Sequence, residues 1–205
     1  MKLMICPGIH APGLTENFLG ALLPRLHQPP AALWIQPGGV GALLSAPILS
    51  RLRGQAQPSK LGPISMIAFS AGVVGAAQAI PRWCEVGGQV ACLIALDGWG
   101  VPLGGDYPIY RVSHDRFTHW SSRGLGGGPV NFYAEPGIDH LALWQTPDQA
   151  MGWRVHGQRC DRMSAVDFLS QALTEANRGH ARLSVSSRTD QNISGQNISG
   201  RNMSG

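Results

Sequence analysis

The sequence predicts an α/β fold with three layers, in which a parallel sheet lies between two layers of helices. Three observations predict it. Short apolar runs end in glycine, proline, serine or aspartate, helical patterns follow several of these runs, and the alternation repeats between residues 3 and 133. Parallel strands need crossover connections, and these are usually helices. The alternation therefore favours a parallel sheet that is covered on both faces.

The apolar runs give the expected strands. These are Leu3–Cys6, Ala32–Ile35, Ile64–Phe69, Val90–Leu96, Ile109–Ser113 and Val130–Tyr133. Helical patterns begin at Thr15 and cover residues 42–52 and 71–80. In open sheets of this class, ligands bind beyond the carboxyl ends of the strands. The residues that follow the strands are therefore the first functional candidates: Gly8, Gly38, Ser70, Asp97, Asp115 and His140.

The composition indicates one globular domain. The chain has 205 residues, 43% of them apolar and 14% charged, which is too hydrophobic for a disordered protein. It contains no run near the roughly 20 apolar residues of a membrane span. The C-terminal stretch repeats Gln-Asn-Ile-Ser-Gly and then reads Arg-Asn-Met-Ser-Gly. We expect an α/β domain over residues 1–183 and a disordered low-complexity tail over residues 184–205.

Charge and cysteine usage narrow the function classes. The formal net charge is +4, but no cluster of lysine or arginine and no nucleic-acid-binding module accompanies it, so we expect no nucleic-acid partner. The four cysteines are widely separated and form no Cys-x-x-Cys pair, which is typical of reduced thiols rather than a zinc site. The N-terminal apolar stretch ends at Pro7, too early for a signal peptide. We expect a cytoplasmic protein without a cofactor and leave its oligomeric state open.

The segment Ala68-Phe69-Ser70-Ala71-Gly72 joins a predicted strand to a predicted helix. A nucleophile elbow has this position, and its tight turn needs small neighbours around the serine. The usual pattern has glycine two residues before the serine, where this chain has Ala68. The alternative interpretation is that Ser70 only caps the helix, because serine is a preferred N-cap residue.

Together with Pro7-Gly8-Ile9-His10 and the Asp139-His140 loop, this segment resembles the α/β-hydrolase family, over roughly residues 3 to 145. The resemblance implies a small hydrolase fold without a large cap domain and a serine esterase or lipase-like activity. It further implies that Ser70 is the nucleophile, that His140 is the general base, and that the backbone N–H groups of Ala71 and Ile9 bind the oxyanion.

Two acids follow strand ends and could orient His140. Tyr110-Arg111-Val112-Ser113-His114-Asp115 resembles the strand-and-acid segment of fungal-type triglyceride lipases, and Leu96-Asp97 resembles the acid position of pancreatic-type lipases. We favour Asp115 and keep Asp97 as the alternative acid. The other interpretation is a helix cap or surface ion pair for Asp115 and an Asp-Gly turn for Asp97.

The sequence thus predicts a serine hydrolase that cleaves a small-molecule acyl ester or thioester through an acyl-enzyme on Ser70. One alternative is a binding protein that has the hydrolase-like fold but no catalytic activity. A less favoured alternative is a metal-dependent hydrolase, because several imidazoles and carboxylates in the second half of the sequence could ligate an ion. They are His114, Asp115, His119, Asp139 and His140.

Overall fold

The computed structural model of the chain describes residues 1–11 and 13–196. The described part contains eight strands: β1 (Lys2–Cys6), β2 (Ala32–Ile35), β3 (Pro63–Phe69), β4 (Gln89–Leu96), β5 (Ile109–Ser113), β6 (Val130–Ala134), β7 (Met151–His156) and β8 (Arg159–Ser164). Its α-helices are α1 (Leu14–Leu22), α2 (Ser45–Arg53), α3 (Pro58–Leu61), α4 (Ala71–Glu85), α5 (Arg116–Ser122), α6 (His140–Gln145) and α7 (Ala165–Gln196). The chain is therefore an α/β protein, as the sequence predicts.

The strands form one sheet with the order β2-β1-β3-β4-β5-β6-β7-β8. The first six strands in this order pair in parallel, so their carboxyl ends meet at one edge. Residues that follow β1, β3, β4, β5 and β6 come together along this edge. The order places β3, β4 and β5 side by side, and the segments after them are neighbours in space although they are far apart in sequence.

Helices cover both faces of the sheet. Alternate residues of β1 point to opposite faces, because side chains alternate along a strand: Leu3 and Ile5 belong to one apolar cluster, Met4 and Cys6 to another. The first cluster contains residues of α1, α6 and α7. The second contains residues of α2, α3 and α4. The expected three layers are present.

The sheet is not entirely parallel, which corrects the sequence-based expectation. β7 pairs antiparallel with β6, and β8 pairs antiparallel with β7. A short turn with Gly157 at φ 62° joins these two strands, so they need no crossover helix. They carry several exposed charged residues and lack the apolar runs that predict buried strands. This hairpin extends the sheet beyond the predicted six strands.

The predicted strands lie where the sequence places them, within one residue at each end. The helix expected over residues 42–52 is instead a short 3₁₀ turn, Val40–Leu43, followed by α2. Leu44 interrupts it with an extended backbone, at φ −106° and ψ 139°. The predicted domain end near Leu183 falls within α7, and residues 197–205 of the predicted tail lie outside the described residues. Among the helices described, none combines the length and apolarity that crossing a membrane requires.

Candidate active site

Ser70 lies in a sharp turn between β3 and α4. Its φ of 51° and ψ of −120° are a combination that residues other than glycine rarely adopt. Such a backbone costs on the order of 1–3 kcal/mol and persists only where the surrounding structure imposes it. The Ser70 side chain makes no capping hydrogen bond to α4. Helix capping therefore does not explain why a serine occupies this turn.

Two glycines let β1 and the Ser70 turn approach each other backbone to backbone. A Cβ atom added to Gly72 would collide with the carbonyl oxygen of Cys6, and one added to Gly8 would lie 3.0 Å from the Cβ of Ser70. On the other side, the Ser70 N–H donates a hydrogen bond to the Leu96 carbonyl oxygen at 2.9 Å. The turn is held between β1 and the end of β4, which explains how its backbone conformation is maintained.

The alanine two residues before the serine fits the sheet. Ala68 is fully buried and pairs in register with Cys6 of β1 and Ala95 of β4. Its methyl group packs in the apolar cluster that contains residues of α4. The departure from the usual glycine at this position is therefore accommodated inside the core.

Asp97 follows β4 directly, and its carboxylate receives three hydrogen bonds. The backbone N–H of His114 donates to Oδ1 at 2.9 Å. The Nδ1 atoms of His114 and His140 lie 2.9 and 2.8 Å from Oδ2. Burial raises the pKa of Asp97, but the hydrogen bonds from the two histidines and the charge of His114 lower it more, so the pKa lies below its ordinary value. Because an ionised carboxylate only accepts hydrogen bonds, each ring carries a proton on Nδ1.

His140 is the first residue of α6, and aromatic rings fix the plane of its imidazole. It stacks on Phe69 at 4.7 Å between ring centroids, with an angle of 24° between the planes. Phe69 stacks on Trp144 at 5.0 Å, and Trp144 stacks on Phe18 at 3.7 Å. With Nδ1 bonded to Asp97, Nε2 of His140 has no hydrogen-bond partner among the described residues. This nitrogen is the free acceptor of the ring.

Ser70 and His140 line the same open cleft at the carboxyl edge of the sheet. Its volume is about 530 Å³. The lining residues are Ser70, Ala71, Val74, Asp97, Trp99, Val101, His114, Phe117, Thr118 and His140. The structure therefore brings together four of the six residues predicted for a serine hydrolase, Ser70, Ala71, Asp97 and His140. His114, one of the candidate metal ligands, lines the cleft as well.

The two remaining candidates lie outside this lining. Asp115 is the N-cap of α5, where its Oδ1 accepts a hydrogen bond from the Thr118 N–H at 2.6 Å. It is thus the helix cap that the alternative interpretation describes, and the carboxylate that contacts His140 is that of Asp97. Ile9 follows β1 beside Gly8, with a side chain that is 53% exposed.

The contact between His114 and Asp97 was not predicted from the sequence. His114 directly follows β5, and β5 is the parallel neighbour of β4, with Leu96 in register with Val112. This strand adjacency was the available signal, since it puts the residues after both strands side by side. The hydrogen bond to Asp97 raises the pKa of His114; burial opposes this, and the charges of Asp97, Asp115 and Asp139 add to the increase.

The metal alternative is only partly matched by the geometry. Two of its five residues, His114 and His140, come together with Asp97, and their ligand-type atoms lie within 4.8 Å of one another. His119 lies apart from them, packed on Tyr133 at 5.1 Å. Ligands at about 2.1 Å from a tetrahedral ion would be about 3.4 Å apart. The ring nitrogens are closer than that to the Asp97 oxygen, at hydrogen-bond distance, so the arrangement fits proton sharing better than metal binding.

A buried guanidinium holds the wall of the cleft beyond Asp97. Arg111, in β5, is 3% exposed and donates to the carbonyl oxygens of Gly98 at 3.3 Å and Val101 at 2.8 Å. It also donates to the carbonyl oxygens of Leu125 and Gly126. Burial lowers its pKa. Arg111 thereby ties the loop that carries Trp99 and Val101 to the segment before β6.

The chain was compared with protein-family models, with curated proteins and with solved structures, and none of these comparisons finds a match.

Proposed function

We propose that this chain is a serine hydrolase that cleaves an ester or thioester through an acyl-enzyme on Ser70. The observation that carries the proposal is the hydrogen-bonded pair of Asp97 and His140 in the same cleft as Ser70 and its strained turn. The order serine, acid, histidine along the chain and the resemblance to the α/β-hydrolase family support it. In the proposal Asp97 takes the role for which the sequence favoured Asp115.

In the first half-reaction the Ser70 hydroxyl attacks the substrate carbonyl carbon, and its proton passes to Nε2 of His140. The carboxylate of Asp97 stabilises the imidazolium that forms, because it accepts the Nδ1 proton of the same ring. The tetrahedral intermediate then loses its alcohol or thiol. The carbon–oxygen or carbon–sulfur bond breaks, and the leaving group takes the proton from His140.

In the second half-reaction water attacks the acyl-enzyme, and His140 accepts a proton from that water. The bond between the acyl carbon and Ser70 Oγ breaks, and Oγ recovers the proton from His140. The products are a carboxylic acid and the free enzyme. One ring nitrogen serves as base and acid in turn, which requires that it has no competing hydrogen-bond partner.

Backbone N–H groups would stabilise the negative oxygen of the intermediate. Ala71 begins α4, so its N–H has no acceptor within the helix and the positive end of the helix dipole lies beside Ser70. Ile9 would supply a second N–H, because its neighbour Gly8 packs against Ser70. Two such donors are the usual form of an oxyanion hole.

The aromatic rim of the cleft favours an apolar acyl group. Trp99 and Phe117 line the cleft, and they are 63% and 68% exposed. Large aromatic rings that stay exposed in a cleft are available to bury apolar substrate surface. The hydrogen bond from Trp99 Nε1 to Ser121 Oγ, at 3.0 Å, holds the indole ring against α5.

The proposal includes the cytoplasmic location expected from the sequence. All four cysteines are free thiols. Cys6 and Cys92 are buried, and burial raises the pKa of each to about 12, which keeps them protonated and unreactive. Free thiols in the core are compatible with a reducing compartment.

The first experiment is labelling with a fluorophosphonate probe, which reacts appreciably only with an activated serine. We expect the wild type to be labelled and Ser70→Ala not to be. The matched control is Ser50→Ala, because Ser50 is an exposed serine on α2 that does not line the cleft. Its labelling should equal that of the wild type.

Two results would contradict the proposal. A folded wild type that is not labelled would favour the non-catalytic binding protein, and labelling that persists in Ser70→Ala would identify another nucleophile. Elemental analysis of the same preparation, with esterase activity measured in chelator, separates the metal-dependent alternative. That alternative requires a stoichiometric ion and loss of activity in chelator.

A further inference from the structure

We propose that His114 is a positioning residue, which holds the Asp97 carboxylate in the orientation that His140 needs. The inference rests on the proposed function, since it concerns the acid of the same site. His114 contacts both oxygens of Asp97, through its backbone N–H to Oδ1 and through its ring to Oδ2.

A carboxylate that bonds to one histidine alone is not well oriented. The χ2 torsion of aspartate is broad and roughly two-fold, so the carboxylate plane is set by its partners. Here one residue occupies both oxygens from the β5 side, each at 2.9 Å, and this fixes the plane. The remaining acceptor position on Oδ2 then faces Nδ1 of His140 at 2.8 Å.

The two imidazoles are not equivalent, which separates their roles. The second nitrogen of His114, Nε2, lies 3.5 Å from Asp115 Oδ2. The second nitrogen of His140 has no partner in the described part of the chain, and its ring stacks on Phe69, the residue just before Ser70. His140 thus lines the cleft of Ser70 with one ring nitrogen unoccupied, whereas both ring nitrogens of His114 face carboxylates.

This arrangement makes the charge of His114 matter to catalysis. The groups that face it are Asp97 after β4, Asp115 before α5, and His140 with its N-cap Asp139 at α6. With His114 neutral, proton uptake by His140 neutralises the charge of Asp97. With His114 protonated, the same uptake places two imidazolium rings 6.1 Å apart, and that step becomes less favourable. Neutral His114 is therefore the active form.

The test compares three variants of His114, one control variant and His140→Ala on a chromogenic short-chain ester, with kcat and KM measured across the pH range. Asn at position 114 carries an N–H donor at about the place of Nδ1, Gln carries it farther out, and Ala carries none. We expect His114→Ala and His114→Gln to lower kcat by about tenfold to a hundredfold with little change in KM, and His114→Asn to restore most of it. His156→Asn, an exposed change on β7, is the control.

Each outcome bears on the inference. Equal kcat values for the Asn, Gln and Ala variants would overturn it, and so would wild-type kcat in His114→Ala. If His140→Ala stays active while His114→Ala does not, His114 is the base and the inference is wrong. A purely structural role would lower thermal stability but leave kcat of the folded fraction and the acid limb of its pH profile unchanged.

A second measurement keeps failure of the inference distinct from failure of the proposed function. Proton NMR of the wild type detects the Nδ1–H of His140, which the hydrogen bond to Asp97 shifts far downfield. We expect this signal to persist in His114→Asn and to disappear in His114→Gln. If the wild type hydrolyses no ester but the signal follows this pattern, the positioning role of His114 is supported and the proposed hydrolase function is not. If the Nδ1–H signal of His140 is the same in the wild type, His114→Asn and His114→Gln, the proposed positioning role of His114 is wrong.

Discussion

Asp97, directly after β4, and Arg111, in the neighbouring strand β5, are two buried charges of opposite sign, and they differ in the groups that contact them. The ring nitrogens of two histidines contact the Asp97 carboxylate, and an imidazole nitrogen can accept or release a proton. Four backbone carbonyl oxygens surround the Arg111 guanidinium, and these do not titrate. The first arrangement can move a proton, whereas the second can only hold a loop.

The largest expected effect comes from Asp97→Asn. The amide keeps the shape of the carboxylate but removes the charge that stabilises the imidazolium of His140, and its NH₂ group can favour the wrong ring tautomer. We expect kcat for ester hydrolysis to fall by about 10³- to 10⁴-fold. The measurement is steady-state hydrolysis of the chromogenic ester, with thermal unfolding to verify that the variant is folded.

Arg111→Met should give the opposite pattern, with a large loss of stability. Met lacks the donors, so four buried or partly buried carbonyl oxygens lose a partner, and we expect the free energy of unfolding to fall by about 2–4 kcal/mol. Urea unfolding measures it. Arg154→Met is the matched control, because Arg154 forms its ion pairs with Glu175 and Asp161 nearer the surface and should cost about 1 kcal/mol or less. Equal losses in the free energy of unfolding would show that Arg111 contributes no more to stability than Arg154.

The fold around these two residues could be predicted from the sequence in part. Apolar runs predicted six strands, because buried strands need continuous apolar surface, and the small residues around Ser70 predicted its turn. The sequence could not decide between Asp97 and Asp115, because the choice depends on which strand end lies close enough to His140 for a hydrogen bond. In the structure this is the end of β4, which carries Asp97. Strand order arises from packing over the whole sheet, and no local pattern at either acid reports it.

The β7–β8 hairpin was not predicted, and the two interpretations of Asp115 could not be separated, both for local reasons. The hairpin strands are rich in charged residues, so their pattern gave no apolar signal, although Gly157 marks the turn between them. Asp115 lies at a strand end and at a helix start at once. Its sequence position fits a catalytic acid and an N-cap equally well. The hydrogen bond from the Thr118 N–H, which only the structure shows, identifies Asp115 as the N-cap.

Asp115→Ala should therefore have a moderate effect on stability and a small one on catalysis. Loss of an N-cap costs about 1 kcal/mol, whereas Asp115→Asn keeps a capping oxygen and should cost only a few tenths. We expect kcat of both variants to stay within about threefold of the wild type, because the Asp115 carboxylate is partly exposed and lies 3.5 Å from the far nitrogen of His114, away from His140. If Asp115→Asn lost activity as Asp97→Asn does, Asp115 would be the acid and the comparison of the two carboxylates would be reversed.

The smallest expected effect is a pH dependence of stability from His114. Its pKa is raised in the folded chain above the ordinary value of 6.5, so the folded state holds the proton more tightly than the unfolded state. This stabilisation is fully present below about pH 6.5 and is lost as the pH rises through the raised pKa. The free energy of unfolding of the wild type should therefore decline over this window more steeply than that of His114→Asn, with His156→Asn as the control. Asp97 contributes a pH dependence of the opposite sign, in a different pH range. Because its pKa is lowered, its contribution to stability is lost only as the pH falls below the ordinary carboxyl range. Parallel curves for the wild type and His114→Asn would mean that Asp97 does not stabilise the protonated ring. The two imidazoles would then share the carboxylate only as neutral donors.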